Sequence, residues 1–475
     1  MSKKSAVLTR RDALTAMLAA NAFSQSPKKR PNIIFLLSDD QRWDALGCMG
    51  NRIIQTPNVD ALSARGVTFD KQFVTTAICM SSRASIFTGQ YERTHGMTEF
   101  SYRLSDSQFA QTYPALLRAA GYRTGFIGKY GLDGAPLPSN RFDYWKGFAG
   151  QGKYLQPGDK GPHLTRIMGD QALEFIQGSG PSANSAQPFF LQVSFKAPHA
   201  QDEDPRQFVY DPADASMYRD AKIIPPKTAH ERYISMLPIE IHRSENRRRW
   251  GVRFSTPATF QESVKSYYRL ISEIDREVGR IRAQLEAQKQ SDDTVIIYSS
   301  DNGFYLAEHG LAGKWIPHEE SIRVPLVVYD PRAARNLQGA RRSQMTLNID
   351  IAPTIISLAG LPVPNCVQGR DLSPLLSGAA PPWRNEFFYE HAFTNPGGWI
   401  PRTEGVRDKR WKYFRYLDIK PLFEEMYDLD SDPLEMRNLA LDKSHQGQLD
   451  RMRVRWDAWR KHLDAYRPDQ QWREL

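Results

Sequence analysis

Cysteine is scarce in this chain: Cys48, Cys79 and Cys366 are the three among 475 residues. So few thiols cannot build a disulfide framework, so the fold must rest on packing, and an odd count leaves at least one thiol for chemistry. Long apolar runs are also missing. No stretch reaches the roughly 20 residues that span a bilayer, so no transmembrane segment is expected. Internal repeats are absent, as are recognition-helix, zinc-finger and RNA-binding signatures. A nucleic-acid partner is therefore not expected, even though the net charge is +9. The densest basic cluster, Arg243–Arg253, fits either a solvated helix rim or a surface that greets a polyanion.

What is present suffices for a large core. The chain is 40% hydrophobic and 25% charged, an ordinary globular balance, and its length suits one big domain with a small appendage. At the N-terminus, Lys3 and Lys4 precede Thr9-Arg10-Arg11-Asp12-Ala13-Leu14 and a short apolar run closing on Ala20-Asn21-Ala22. Twin arginines, an apolar stretch and an A-x-A site resemble a twin-arginine export signal over residues 1–22. A periplasmic or extracellular bacterial protein is the expectation.

Asn32–Leu37 is a continuous apolar run, as in a strand covered on both faces, and it ends in Ser38-Asp39-Asp40. Thr294–Tyr298 repeats the form and ends in Ser299-Ser300-Asp301-Asn302. Further strands are predicted at Thr124–Ile127, Phe189–Phe195 and Val324–Tyr329. Helical patterns cover Asn58–Arg65, Tyr113–Ala120, His163–Gln177 and Thr259–Gln288. Such alternation predicts an α/β fold with a large, mostly parallel or mixed central sheet sandwiched by helices. In the tail, Phe387–His391 and Gly405–Tyr416 read as strands of a short antiparallel sheet, and Leu449–His462 as a closing helix. The Pro/Gly-rich stretch Ser377–Arg384 would divide a catalytic domain, 23–376, from a small α+β subdomain, 385–475. Ala200–Ser255 reads as a long polar loop facing substrate.

Asp39, Asp40, Asp301 and Asn302 are hard oxygen ligands at two strand ends. They suit calcium or magnesium rather than zinc. Cys79 lies one helical turn before Arg83 where a helix begins, so free N–H groups and a guanidinium would favour an anion there. Lys129, His199 and Lys314 each follow a predicted strand end or border an acidic motif. Together with Arg83 they could cage a sulfate or phosphate with a developing leaving-group charge.

Cys79-Met80-Ser81-Ser82-Arg83 resembles the signature of type I sulfatases, in the alkaline phosphatase superfamily. The resemblance spans most of the chain, including NIIFLLSDDQRWDALGCMGN, GYRTGFIGKYG, KAPH, IIYSSDNGFYLAEHGLAGKW and NIDIAPTIISLAGLP. It implies an alkaline phosphatase-like fold and oxidation of Cys79 to formylglycine by a separate maturation enzyme. It further implies calcium held by Asp39, Asp40, Asp301, Asn302 and the modified residue 79. The formylglycine hydrate would attack sulfur with Asp301 as proton acceptor, while Arg83, Lys129, His199 and Lys314 neutralise sulfate oxygens. His199 or Lys314 would protonate the leaving alcohol, and the second hydroxyl would expel inorganic sulfate.

The pattern departs from the family at two places. Ser81 stands where proline or alanine is usual, and Gly131 where a histidine often assists the second step. Asp133, His95 and His163 are candidates for that missing role. Phe142–Tyr154 resembles a loop of carbohydrate sulfatases whose Tyr144, Trp145, Phe148 and Tyr154 could stack on sugar faces. The expected substrate is thus a sulfated carbohydrate. A phosphomonoesterase or phosphonate monoester hydrolase of the same fold, and an unmodified, inactive glycan-binding relative, are the alternatives.

Overall fold

The computed structural model describes residues 30–178, 187–394 and 398–475; the export signal expected over 1–22 lies outside them. The chain opens with β1 (Asn32–Asp39), every residue of which is buried. Helix α1 (Pro57–Arg65), β2 (Val67–Phe73) and α2 (Cys79–Thr88) follow, then α3 (Tyr113–Ala119), β3 (Arg123–Lys129) and β4 (Tyr144–Phe148). Next come α4 (Leu164–Gln177), β5 (Phe189–Pro198), α5 (Glu245–Arg253), the long α6 (Pro257–Ala287) and β6 (Thr294–Ser300). The body closes with β7 (Leu326–Tyr329), β8 (Ala340–Leu347) and α7 (Ile351–Leu358).

These strands form a nine-stranded sheet in the order β8-β2-β7-β6-β1-β5-β3-β4, with the short strand Arg323–Val324 beside β2. β1 runs parallel to both β5 and β6, whereas β7 is antiparallel to β6 and β2. The sheet is therefore mixed, with a parallel centre. Alternation of side chains along β1 explains why a continuous apolar run is needed there. Ile34 and Leu36 join one core with Val264, Leu270 and Ile274 of α6. Ile33, Phe35 and Leu37 join the opposite core with Phe87 of α2, Leu117 of α3 and Ile355 of α7.

A second, antiparallel sheet follows: β9 (Glu386–His391), β10 (Thr403–Asp408), β11 (Trp411–Tyr416) and β12 (Glu424–Asp428), in that order. The closing helix α8 (Gln446–Ala465) packs Trp456 and Trp459 against Phe387 and Tyr413, in a cluster that includes Phe73 and Tyr91 of the body. The other face of the second sheet carries Phe414 and Tyr427 onto Tyr305 and Ile316. Among the described residues, no helix is long and apolar enough to cross a membrane.

The sequence misplaces some elements. Residues 200–255 are not one long loop. They hold three α-helices, at Glu231–Ser235, Ile239–His242 and α5. The first two are too short, and α5 too arginine-rich, to display an apolar period; Ser244 caps α5 instead, accepting from the Arg247 N–H.

Between the body and the second sheet, Glu92 meets Glu390 of β9. Burial first, then repulsion from Glu390, push the Glu92 carboxyl up to about 8. Thr76 Oγ1 and the Ala392 N–H donate to it at 3.0 and 2.9 Å. Arg93 meanwhile holds Glu390 through Nε at 2.9 Å. A protonated Glu92 belongs to the folded state, so this group stabilises most below the ordinary carboxylate range. Its contribution is lost as pH rises through about 8. Urea unfolding midpoints should therefore fall between pH 5 and pH 8, by at most about 1.4 kcal/mol per pH unit from this group. In Glu92→Gln that part of the slope should disappear.

Candidate active site

Register brings the acidic motifs together. Ser38 of β1 lies opposite Ser300 of β6, so Asp39-Asp40 and Asp301-Asn302 leave the sheet side by side at its carboxyl edge. Asp40 adopts φ 68°, a left-handed conformation uncommon for a residue with a side chain. Neighbouring bonds hold the turn: the Asp40 N–H donates to Asp301 Oδ1 at 3.1 Å, and its carbonyl accepts from the Tyr267 hydroxyl at 2.7 Å. β3 delivers Lys129 to the same edge, and β5 delivers His199, Pro198 being paired with Asp39.

Helix α2 starts at Cys79 after an extended Ile78, and no side chain caps it. All ten of its residues are buried. Its uncapped first turn therefore offers N–H donors and the positive end of the helix dipole beside the thiol.

The carboxylates and cations interlock. Arg83 donates through Nε to Asp301 Oδ2 at 2.8 Å and through Nη2 to Asp39 Oδ2 at 3.2 Å. Its Nη1 donates to the Lys129 carbonyl at 2.6 Å and Ser194 Oγ at 2.5 Å. Lys129 Nζ pairs with Asp39 and reaches Gln151 Oε1 at 2.7 Å, while Lys314 Nζ pairs with Asp40. Burial opposes ionisation of Asp39, but the charges of Lys129, Arg83 and Lys314 together hold its carboxyl far below the usual range. For Asp301, burial and the Asp39 charge win, pushing it up to about 6. Burial would lower Lys314, yet Asp40 and its neighbours raise it, so this ammonium keeps its proton. Burial drives His199 well below its ordinary value. As a neutral ring it donates from Nδ1 to the Ala200 carbonyl at 2.5 Å, leaving the lone pair on Nε2.

Ligand atoms of Asp39, Asp40 and His199 lie within 4.8 Å of one another. Asp39 Oδ1 and Asn302 Oδ1 are buried without a hydrogen-bond partner. Orphaned oxygens in so polar a place are the signature of an ion site, and oxygen donors suit a hard divalent cation. Above lies a cavity of about 420 Å³ onto which Cys79, His199 and Lys314 open. Ile78, Phe100, Trp315, Phe393 and Ile400 form its apolar walls; Glu99, Gln151, Asp202 and Arg249 are polar groups that also line it.

Residues 31–361 match the sulfatase family model, and 307–462 match the model for the C-terminal part of N-sulphoglucosamine sulphohydrolase. The chain belongs to the sulfatase family. It is a sulfuric ester hydrolase. An N-acetylglucosamine-6-O-sulfatase of Bacteroides thetaiotaomicron is 30% identical, over 92% of this chain and 87% of its own length. A solved structure of an enzyme with its substrate, D-glucosamine-2-N,6-O-disulfate, superimposes with a TM-score of 0.78 at 26% identity, covering 94% of this chain and 100% of that one. The phosphonate monoester hydrolase of Agrobacterium radiobacter shares the fold at a TM-score of 0.74 and 23% identity, over 91% and 96% of the two chains.

Other residues singled out in this sulfatase's sequence lie elsewhere. His95 accepts from the Met97 N–H at 3.0 Å and meets Ser85 Oγ at 3.0 Å, and burial depresses it to about 3. His163 pairs with Glu273 at 2.8 Å and stacks on Tyr154. Neither these nor Asp133 lines the cavity. Trp145 stacks on Phe126 with centroids 5.0 Å apart, Tyr144 packs on Phe175, and Tyr154 is buried. Those three rings pack internally, and Phe100, Trp315 and Phe393 line the cavity instead. Nor is Arg243–Arg253 a bare basic rim: Arg253 is buried against Asp202 and Gln207, and Arg248 and Arg249 both bind Glu245.

Lys196 is a site residue that motif reasoning overlooked. Its ammonium is buried without a hydrogen-bond partner, 4.8 Å from the Tyr154 ring centroid. Burial, then the charge of Lys129, lowers it to about 8. A lysine inside a wholly buried strand was the available signal.

Gly131 has a structural reason to lack a side chain. Its φ is +80°, and an added Cβ would stand 2.5 Å from Arg83 Cδ. Histidine at this place would displace the arginine that ties Asp39 to Asp301. Gly131→Ala should therefore lower kcat by about tenfold or more and cost about 1–2 kcal/mol of stability, read from steady-state kinetics and urea unfolding. Wild-type kcat in this variant would show that Arg83 tolerates displacement.

Proposed function

We propose that this sulfatase acts on a sulfated carbohydrate, with Cys79 converted to formylglycine as nucleophile. The observation that carries this reading is the placement of Cys79 at an uncapped helix start, opening onto one cavity with His199 and Lys314 above Asp39 and Asp40. The N-acetylglucosamine-6-O-sulfatase relative supports a sugar as the alcohol. The reading requires a maturation enzyme for residue 79 and places the protein, once exported, in the periplasm or outside the cell.

Asp39, Asp40, Asp301 and Asn302 would hold calcium, which supplies positive charge for the sulfate group and the developing negative charge. The chain's own groups do the rest. The first turn of α2, Lys314 and His199 face the sulfate oxygens, while Arg83 and Lys129 fix the carboxylates. One hydroxyl of the hydrated aldehyde gives its proton to Asp301. That oxygen bonds to sulfur as the bond from sulfur to the sugar oxygen breaks. The sugar oxygen takes a proton from Lys314. In the second step the remaining hydroxyl yields its proton to the Nε2 lone pair of His199. Its electron pair restores the aldehyde and the bond to sulfate oxygen breaks, releasing inorganic sulfate. An ordinary serine or cysteine ester has no such exit. His199 thereby fills the role for which Gly131 has no side chain.

Protein produced with maturation machinery should show the Cys79 peptide about 18 Da lighter than cysteine, with one more water if hydrated. It should release sulfate from N-acetylglucosamine 6-sulfate, and lose that activity with a chelator until calcium is restored. Cys79→Ala should lose at least about 10³-fold in kcat while staying folded. Full activity in that variant, or a preference for phosphonate monoesters over every sulfate ester, would overturn the proposal.

A further inference from the structure

Three charged side chains that line the cavity are not used by the sulfate chemistry, Glu99, Asp202 and Arg249, and the last two are paired with each other. Asp202 lies three residues beyond His199. Its Oδ1 accepts from Arg253 Nη2 at 2.5 Å, and its Oδ2 from Arg249 Nη2 at 2.9 Å. Arg249 also donates through Nε to Glu245 Oε1 at 2.7 Å, and its guanidinium lies over the Trp315 ring at 5.0 Å from the centroid. Glu245, Asp202 and Trp315 thus fix the plane of the guanidinium.

The pair is held but not saturated. Arg249 Nη1 has no acceptor among the described residues, since its bonds run through Nε and Nη2. Each Asp202 oxygen takes one donor and keeps a further lone-pair direction. The Asp202 side chain is 37% exposed although it is paired twice. A guanidinium N–H beside a carboxylate oxygen offers one donor and one acceptor a short step apart. Two neighbouring ring hydroxyls, each able to donate and accept, are the complementary partner. Phe100 and Phe393, which also line the cavity, suit the C–H face of a sugar ring.

We propose that Asp202 and Arg249 form a hydroxyl-reading pair that selects a sugar sulfate over a simple aryl sulfate. They are specificity-determining residues, and this rests on the carbohydrate reading given above. The pair is tied to the sulfate-holding groups on both sides: Asp202 follows His199, and Arg249 lies on the ring that follows Lys314. A ring whose hydroxyls are held would have its sulfate presented at the cavity floor.

The test compares N-acetylglucosamine 6-sulfate with 4-nitrophenyl sulfate, using matured enzyme in calcium. Arg249→Gln and Asp202→Asn should each lower the ratio of kcat/KM for the sugar to that for the aryl ester by about tenfold or more, chiefly through KM. The 3-deoxy or the 4-deoxy sugar sulfate should cost the wild type a similar factor and cost the variants little. Arg249→Lys keeps the charge but loses the planar fork, and should lower the ratio in the same direction if the glutamine variant does not fold. Equal losses on both esters would reduce the pair to a brace for His199 and Lys314, and an unchanged ratio would remove it from recognition; both overturn the inference while the sulfatase reading stands. Wild type active on the aryl ester but on no sulfated monosaccharide would overturn the pair and the carbohydrate reading together. Matured wild type inert on every sulfate ester would instead remove the proposed reaction.

Discussion

Asp39, Asp40 and Asp301 are gathered in a space that excludes water, and three full negative charges there would repel one another strongly. Arg83, Lys129 and Lys314 are what make the gathering tolerable, each reaching a carboxylate oxygen from a different part of the chain. Pairs this deeply buried cost desolvation energy that their attraction does not always return. They are weak evidence for stability and stronger evidence for a task. The task is a dense, fixed field in which an anion and a cation can both be held without reorganisation. Strand order, the left-handed turn at Asp40 and the bare glycine at 131 all serve that geometry.

The legible part of this site was local. A buried strand ending in two carboxylates can be read from Asn32–Asp40, because burial on both faces forces an uninterrupted apolar run. The helix start at Cys79 was legible from the spacing of Cys79 and Arg83 rather than from an apolar pattern. The edge strand β8 was not, since its first half, Ala340–Gln344, alternates with solvent and carries two arginines. Nor was the helical character of 231–253, where capping by Ser244 and salt links from Glu245 replace an apolar stripe. The cavity walls were hidden more deeply. Phe393 and Ile400 lie next to Cys79 only because the second sheet folds back onto the body, and no spacing in the chain announces that contact.

Charge counting in the sequence was least informative where it was most suggestive. The arginine-rich segment 243–253 looked like a surface for polyanions. In the fold its charges are largely spent internally, on Glu245 and Asp202, and on the ring of Trp250 beneath Arg247. Linear charge density ignores the partners that a fold supplies. Burial of Lys196 shows the converse: one ammonium held only against the Tyr154 ring says more about a site than a cluster whose members are paired with carboxylates.

The cavity is assembled from two parts of the fold. Its floor comes from strand ends and a helix start in the body, all locked by the buried ions. Part of its wall, Phe393 and Ile400, comes from the segment linking β9 to β10. None of the ion pairs that lock Asp39, Asp40 and Asp301 involves Phe393 or Ile400. A substitution at Phe393 or Ile400 therefore changes what the cavity admits while every buried ion pair beneath it stays in place.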